Sequence, residues 1–204
     1  MVGPLQIAYG TVIAAGCICR KDQLKPGHLV FEGPMPTARM PFIPGKYQNL
    51  KRLLRKNFHY IAQLTALRHW YTEVRSCFVG PELPRELYEG LAATLDSGIA
   101  ERLKQLEKIR DKIDTLGEQR SESQKAFCRI WPHKMSRFAD LQRRGGDNRK
   151  LDSFLEAVEA SSKENGPRYI DTIQGLTRSQ AEQGSRWLQG IVDHFMDEIT
   201  KGII

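Results

Sequence analysis

The sequence lacks the features that mark several broad classes of protein. No apolar run approaches the ~18 residues that a transmembrane helix requires, so no membrane association is expected. No basic segment precedes the first apolar stretch, so no secretory signal is predicted. The four cysteines include no CxxC pair, which argues against a zinc ribbon or a disulfide scaffold. We therefore expect a cytoplasmic protein with free thiols, no metal and no cofactor.

The motifs of nucleotide and acyl-transfer chemistry are missing as well. The sequence contains no GxGxxG, no GxxxxGK[ST] and no GxSxG, and its glycines are dispersed along the chain. His59 and His69 stand in no HExxH or three-histidine pattern, so they are predicted to be polar residues at the boundary of a helix rather than metal ligands. No catalytic residue is predicted, and whether the chain is an enzyme is left open.

Positive charge is concentrated in the first 60 residues. The chain carries 31 Lys and Arg against 24 Asp and Glu, a formal net charge of +7. Nine basic and two acidic residues lie in positions 1–60, so this segment accounts for the whole excess (9 − 2 = +7). Such a field attracts phosphates, nucleic acid or an acidic protein surface, although a basic helix face that is simply solvated has the same composition. The candidate anion-binding residues are Arg20, Lys21, Lys51, Arg52, Arg55 and Lys56.

From Lys46 onward, apolar residues recur at spacings of three and four, which predicts a helical domain. The predicted helical regions are 46–79, 84–116, 119–143 with a break at Trp131-Pro132, 149–163 and 168–200. The first two are long enough to form an antiparallel pair. Within the last region, Ser179 and Glu182 give a weak signal for a helix restart. The fold class is therefore mainly α, with a short β segment in residues 1–34, a Pro-rich linker over 35–45 and a helical domain over 46–204.

Two successive hexapeptides precede the linker. Residues 7–18 read Ile-Ala-Tyr-Gly-Thr-Val and Ile-Ala-Ala-Gly-Cys-Ile, each with an aliphatic residue first, alanine second and glycine fourth. A hexapeptide period is typical of β-helices, in which glycine takes positive φ at the corners. A chance β-hairpin with glycine turns would also fit these residues. The prolines that follow are expected to interrupt regular structure.

This segment resembles the final coil of left-handed β-helix proteins of the hexapeptide-repeat type. The family comprises sugar-nucleotide pyrophosphorylases with a β-helix tail, similar to UDP-N-acetylglucosamine diphosphorylase, and the wider hexapeptide acyltransferases share the same ending. About 35 of the 204 residues are covered. The matching positions are Gly10, Thr11, Val12, Ile13, Ala15, Gly16, Lys21, Asp22, Leu29, Val30, Gly33 and Pro34.

The resemblance implies the C-terminal region of a nucleotidyltransferase-like protein, here without its catalytic domain. The two hexapeptides make up less than one coil, and repeat folds need several stacked units to bury a core. The expected role is therefore structural, through assembly with a second copy or with a pyrophosphorylase catalytic chain that pairs with the β segment. The alternative is a basic helical module that binds nucleic acid or another anionic partner.

Overall fold

A computed structural model describes residues 5–33, 38–80 and 83–203 of the chain. The protein is mainly α, with a small three-stranded sheet near the N-terminus followed by helices. The chain divides into two compact units, residues 1–46 and residues 47–204. Each unit is described by itself below.

The N-terminal unit holds three short strands in the order β1-β2-β3: β1 is Val12–Ile13, β2 is His28–Phe31 and β3 is Ala38–Pro41. β1 pairs with β2 in parallel, with Val12 opposite Leu29 and Ile13 opposite Val30. A parallel bridge also joins Ile7 to Gln23. Parallel strands usually need a crossover helix, yet the residues between β1 and β2 contain none. The chain thus makes one turn, and residues 7–13 pair in parallel with residues that lie 16 or 17 positions later in the sequence.

Glycine shapes the corners of this winding. Gly10 and Gly16 both have φ of +79°, a conformation that residues with a Cβ rarely adopt. Each follows a short extended stretch, so the chain changes direction after residue 8 and again after residue 14. The two glycines occupy the fourth position of the two hexapeptides.

The Pro-rich segment contains more regular structure than the sequence indicated. Residues 34–37 lie outside the described ranges, but residues 38–41, expected to belong to a linker without regular structure, form β3. This strand pairs antiparallel with β2, with His28 opposite Pro41 and Phe31 opposite Ala38. Pro41 lacks a backbone N–H, and β3 tolerates this because it is an edge strand among the described residues, with no strand on its other side there.

The helical unit contains seven α-helices in its described residues. They are α1 (Leu50–His69), α2 (Arg85–Asp114), α3 (Glu122–Ser136), α4 (Phe138–Arg143), α5 (Asn148–Asn165), α6 (Tyr169–Gln174) and α7 (Arg178–Thr200). α1 continues directly into a π-helical segment, Trp70–Val74, and a 3₁₀ turn, Arg75–Phe78. The glycine that was predicted to end this region, Gly80, follows soon after, whereas Pro81 lies outside the described residues.

α1 lies at the centre of the unit and packs against α2, α3 and α7. The long pair α1 and α2 is antiparallel, because Arg68 pairs with Asp96 while Asn57 contacts Arg102. The core between the helices is rich in aromatic side chains, and Phe58 of α1 stacks on Trp131 of α3 with ring centroids 5.9 Å apart. Its largest fully buried side chains are Trp131, Trp187, Phe58, Phe127, Phe154 and Phe195.

Two predicted boundaries are wrong. α3 continues through Pro132 and ends at Ser136, although proline cannot donate the helical hydrogen bond. The turn is retained because its neighbour Trp131 is buried in the core. α7 begins after Thr177, whose side chain accepts from the N–H of Gln180 while Gln180 accepts from the Thr177 N–H. This capping box, and not Ser179 with Glu182, restarts the helix.

Candidate anion-binding surface and groove

The six candidate anion-binding residues lie in different units. Arg20 and Lys21 belong to the N-terminal unit, and both are exposed. The backbone of Arg20 is engaged, because its N–H donates to the carboxylate of Glu32 at 3.3 Å. The other four residues belong to α1.

Glu32 forms a small polar cluster inside the N-terminal unit. Its carboxylate accepts from Gln23 Nε2 at 2.9 Å and from the Arg20 N–H, and it pairs with Arg39 at 3.5 Å. Burial acts to raise the pKa of Glu32, but these hydrogen bonds and the Arg39 charge outweigh burial and lower the pKa. The cluster joins the end of β2 to β3 and to the loop before β2, so its role is structural.

The basic residues of α1 lie within the first two turns of the helix. Lys51, Arg52, Arg55 and Lys56 are all exposed, and Arg52 and Lys56 lie on the face opposite the buried Leu54. No acidic residue occupies the first turn, and the helix is capped by Asn49, whose side chain accepts from the Arg52 N–H at 3.1 Å. Among the residues that the structure describes, none of the four cations forms an ion pair.

This placement is electrostatically unfavourable for an isolated helix. The N-terminal end of a helix carries a partial positive charge of about half an elementary charge, so cations there are repelled. A bound anion would relieve the repulsion between the four side chains as well as their repulsion by the helix end. The geometry is consistent with an anion-binding surface.

An open groove of about 590 Å³ runs between α1 and α7. Its floor is apolar and includes Ala66, Trp70 and Phe154, while His59, Gln63 and Gln189 contribute polar atoms. α7 supplies small residues at its N-terminal half, which keeps the groove open. The residues that α7 contributes are Ala181, Gly184, Ser185, Leu188, Gln189 and Val192.

The cations of α1 stand on the same side of the helix as this groove. Residues three or four positions apart share a helix face, which places Arg52, Arg55 and Lys56 in line with His59 and Gln63. The wall that α1 contributes is therefore apolar toward its C-terminal end and strongly basic toward its N-terminal end.

A second cavity of about 880 Å³ shares Leu67 and Trp70 with the groove. The guanidinium of Arg75 lies 3.8 Å from the centre of the Tyr169 ring, and the Trp70 indole donates to the Tyr169 hydroxyl at 3.3 Å. The edge of this ring meets Phe78, with centroids 5.3 Å apart. The π-helical segment that positions these side chains is a rare conformation and is frequent at functional sites.

The two histidines of α1 have different environments. His59 is exposed beside the groove, which agrees with a boundary residue. His69 is only 5% exposed, so the prediction that it lies at a polar boundary is wrong. Its Nε2 lies 2.9 Å from the carbonyl oxygen of Gln142, and its Nδ1 is buried without a hydrogen-bond partner among the described residues.

Sequence reasoning did not identify the groove or the aromatic cluster around Tyr169. Both depend on which helices pack side by side, and the sequence pattern of α1 does not specify that. One local signal was available, because Ala181, Gly184 and Ser185 place three small residues on one face of α7.

The comparisons with known proteins identify no family for this chain. No helix in the described ranges is long and apolar enough to span a membrane. Within the same ranges, His, Cys, Asp and Glu form no group of three that could hold a metal ion. Comparison with protein-family models, with curated proteins and with solved structures gave no match.

Proposed function

We propose that the N-terminal unit is the end of a left-handed β-helix of the hexapeptide-repeat type, and that the chain is a structural extension of a cytoplasmic, sugar-nucleotide pyrophosphorylase-like protein. One observation supports the proposal above all others: the parallel pairing of residues 7–13 with residues 23–30 without a crossover helix. Stacked coils pair in this way, and each coil buries part of the next.

The two edges of this winding differ in a manner that suits a terminal coil. β3 covers the far side of β2, whereas β1 is an edge strand within the described residues. The N–H of Ala14 donates to the Val30 carbonyl, and the N–H of Ala8 donates to the Gln23 carbonyl. Because successive residues of a strand point their backbone groups to opposite sides, Ile13 and Ile7, which directly precede these alanines, direct their own N–H and C=O groups away from residues 23–30. Those groups are available to a preceding coil, from a second copy or from a catalytic chain.

The test is to fuse the full chain after the last coil of a known hexapeptide-repeat β-helix and to follow amide hydrogen exchange. The Ile13 amide should exchange quickly in the free chain and about tenfold or more slowly in the fusion. The Ala14 amide, already bonded to Val30, is the internal control and should be slow in both. Equal exchange of Ile13 in the two proteins would count against the proposal.

A second candidate function is supported by the four cations of α1, which have no ion-pair partner among the described residues. The helical unit would then bind nucleic acid or another anionic partner. Replacing Lys51, Arg52, Arg55 and Lys56 by Ala should reduce retention on a heparin column and flatten its salt dependence. Unchanged retention would leave these residues as a solvated helix face.

A further inference from the structure

The groove between α1 and α7 has the dimensions of a helix-binding site. The stretch of α7 that lines it, Ala181–Val192, covers about 16 Å or three helical turns. An apolar floor with a polar rim favours an amphipathic helix whose apolar side chains recur at spacings of three and four. Because Arg52, Arg55 and Lys56 extend one wall beyond the groove, a complementary helix should be acidic at the corresponding end.

The chain itself contains such a helix. The first half of α2, residues 85–98, has no buried residue, whereas the second half buries Ile99, Leu106 and Ile113. Leu87, Leu91 and Leu95 recur every four residues along this first half; Leu87 is 54% exposed, whereas Leu91 and Leu95 are half-buried. Glu86 and Glu89 stand beside them at the N-terminal end together with Arg85; all three are exposed, and the two carboxylates outnumber the one cation.

α2 is placed so that two copies can exchange these contacts. Leu64 of α1 lies against Gly98 of α2, and Leu67, one turn away, lines the groove. The groove and the first half of α2 therefore border each other on either side of the exposed Leu67. A twofold dimer can use both surfaces at once. The first half of α2 of each copy would then contact the groove of the other copy, so the same contact would occur twice.

We propose that the protein forms a twofold dimer in which the first half of α2 of each copy lies in the α1–α7 groove of the other. α1 and α2 are antiparallel, so a twofold axis perpendicular to them makes α2 of one copy run in the same direction as α1 of its partner. The acidic Glu86 and Glu89 then meet the basic Arg52 and Arg55. The inference deepens the second candidate function by naming its anionic partner, and it is independent of the β-helix proposal.

The apolar contact is tested by sedimentation of the full chain over a range of concentrations. The unsubstituted chain should be dimeric, and Leu87→Arg should make it monomeric. Ile170→Arg is the matched control, because Ile170 is 56% exposed on α6 and does not line the groove. A chain that is monomeric up to about 100 μM, or a dimer that survives Leu87→Arg, would overturn the inference. Both substitutions are at exposed positions, so circular dichroism should show unchanged helix content.

The charge contact is tested by exchanging the two signs. Arg55→Glu and Glu89→Arg should each weaken the dimer about tenfold or more, and the double variant should recover much of the loss. A double variant as weak as the two single losses combined would overturn the proposed pairing. If the chain is monomeric yet still binds heparin through α1, this inference fails while the second candidate function stands.

Discussion

Gly184 of α7 faces the ring of Phe154 of α5 so closely that a Cβ at position 184 would lie 2.6 Å from Cε2 of the ring. Phe154 is 1% exposed and packed in the core, so its ring can shift only toward the groove that it lines. The glycine therefore sets how near α5 and α7 approach, and with it the width of the groove that α7 shares with α1.

Gly184→Ala should lower the free energy of unfolding by up to about 2 kcal/mol. Overpacking a core costs about 1–3 kcal/mol, and a contact of 2.6 Å with a packed ring places this site in the upper part of that range, above the gain of about 1 kcal/mol that alanine brings to a helix interior. Gly190→Ala in the same helix is the matched control, because nothing lies within 4 Å of a Cβ there, and it should raise stability by up to about 1 kcal/mol. Urea unfolding measures both, and equal effects would contradict the packing argument.

Thr177→Ala should destabilise the protein by about 1 kcal/mol, because it removes the side chain that caps α7. Ser179→Ala, two residues further on, should change stability by less than about 0.5 kcal/mol, since Ser179 is exposed inside the helix. Thermal or urea unfolding of the two variants shows whether Thr177 or Ser179 caps the start of α7. A larger loss at position 179 would contradict the observed cap.

Stability should fall as the pH decreases below about 6.5, in part through His69. Burial lowers the pKa of His69 from its usual 6.5, and this outweighs the hydrogen bond to Gln142 and the charge of Glu73, which both act to raise it. Below pH 6.5, His69 binds a proton in the unfolded chain more readily than in the folded chain, so protonation favours unfolding. The contribution of His69 to stability is therefore fully present above pH 6.5, and it is lost as the pH falls through the pKa that His69 has in the folded chain.

The measurement is urea unfolding at pH 7.5 and pH 5.5. His69→Gln should reduce the difference in free energy between the two pH values, because the side chain no longer titrates. His59→Gln removes an exposed histidine from the same helix and should leave the difference almost unchanged. An unaltered pH dependence in His69→Gln would show that other groups cause it.

The purified chain should show no pyrophosphorylase and no acetyltransferase turnover. Nucleotidyl transfer needs phosphate-binding groups and usually a metal held on carboxylates, and acetyl transfer needs a base in a groove between coils. The assay supplies UTP, N-acetylglucosamine-1-phosphate and magnesium, and separately acetyl-CoA and glucosamine-1-phosphate. Turnover that follows the protein peak and is absent after heat treatment would contradict the prediction.

The sequence predicted the helices best where one pattern ran without interruption. α2 and α5 lie within two residues of their predicted bounds, because their apolar residues recur regularly and glycine follows each of them. The start of α7 could have been found as well, since Thr177 and Gln180 have the spacing of a capping box. The end of α3 could not, because Trp131 stacks on Phe58, a residue more than 70 positions away, and this long-range contact holds the helix together past Pro132.

The candidate site was predicted in part. The four cations of α1 are exposed, as the opposing apolar stripe indicated, but their role stays a prediction. The groove beside them requires α7 to pack against α1, and no pattern within either helix specifies that neighbour. The burial of His69 likewise depends on Gln142 and Gly145, which are distant in sequence.

The two edge strands of the N-terminal sheet, β1 and β3, differ in their ability to pair with a further strand. β3 runs antiparallel to β2 and ends in Pro41, so a strand arriving on that side meets an edge that lacks one donor. On the β1 side, the groups of Ile7 and Ile13 offer a parallel template. A stack formed through this sheet would therefore extend on the β1 side alone, and this unit would end the stack on its β3 side.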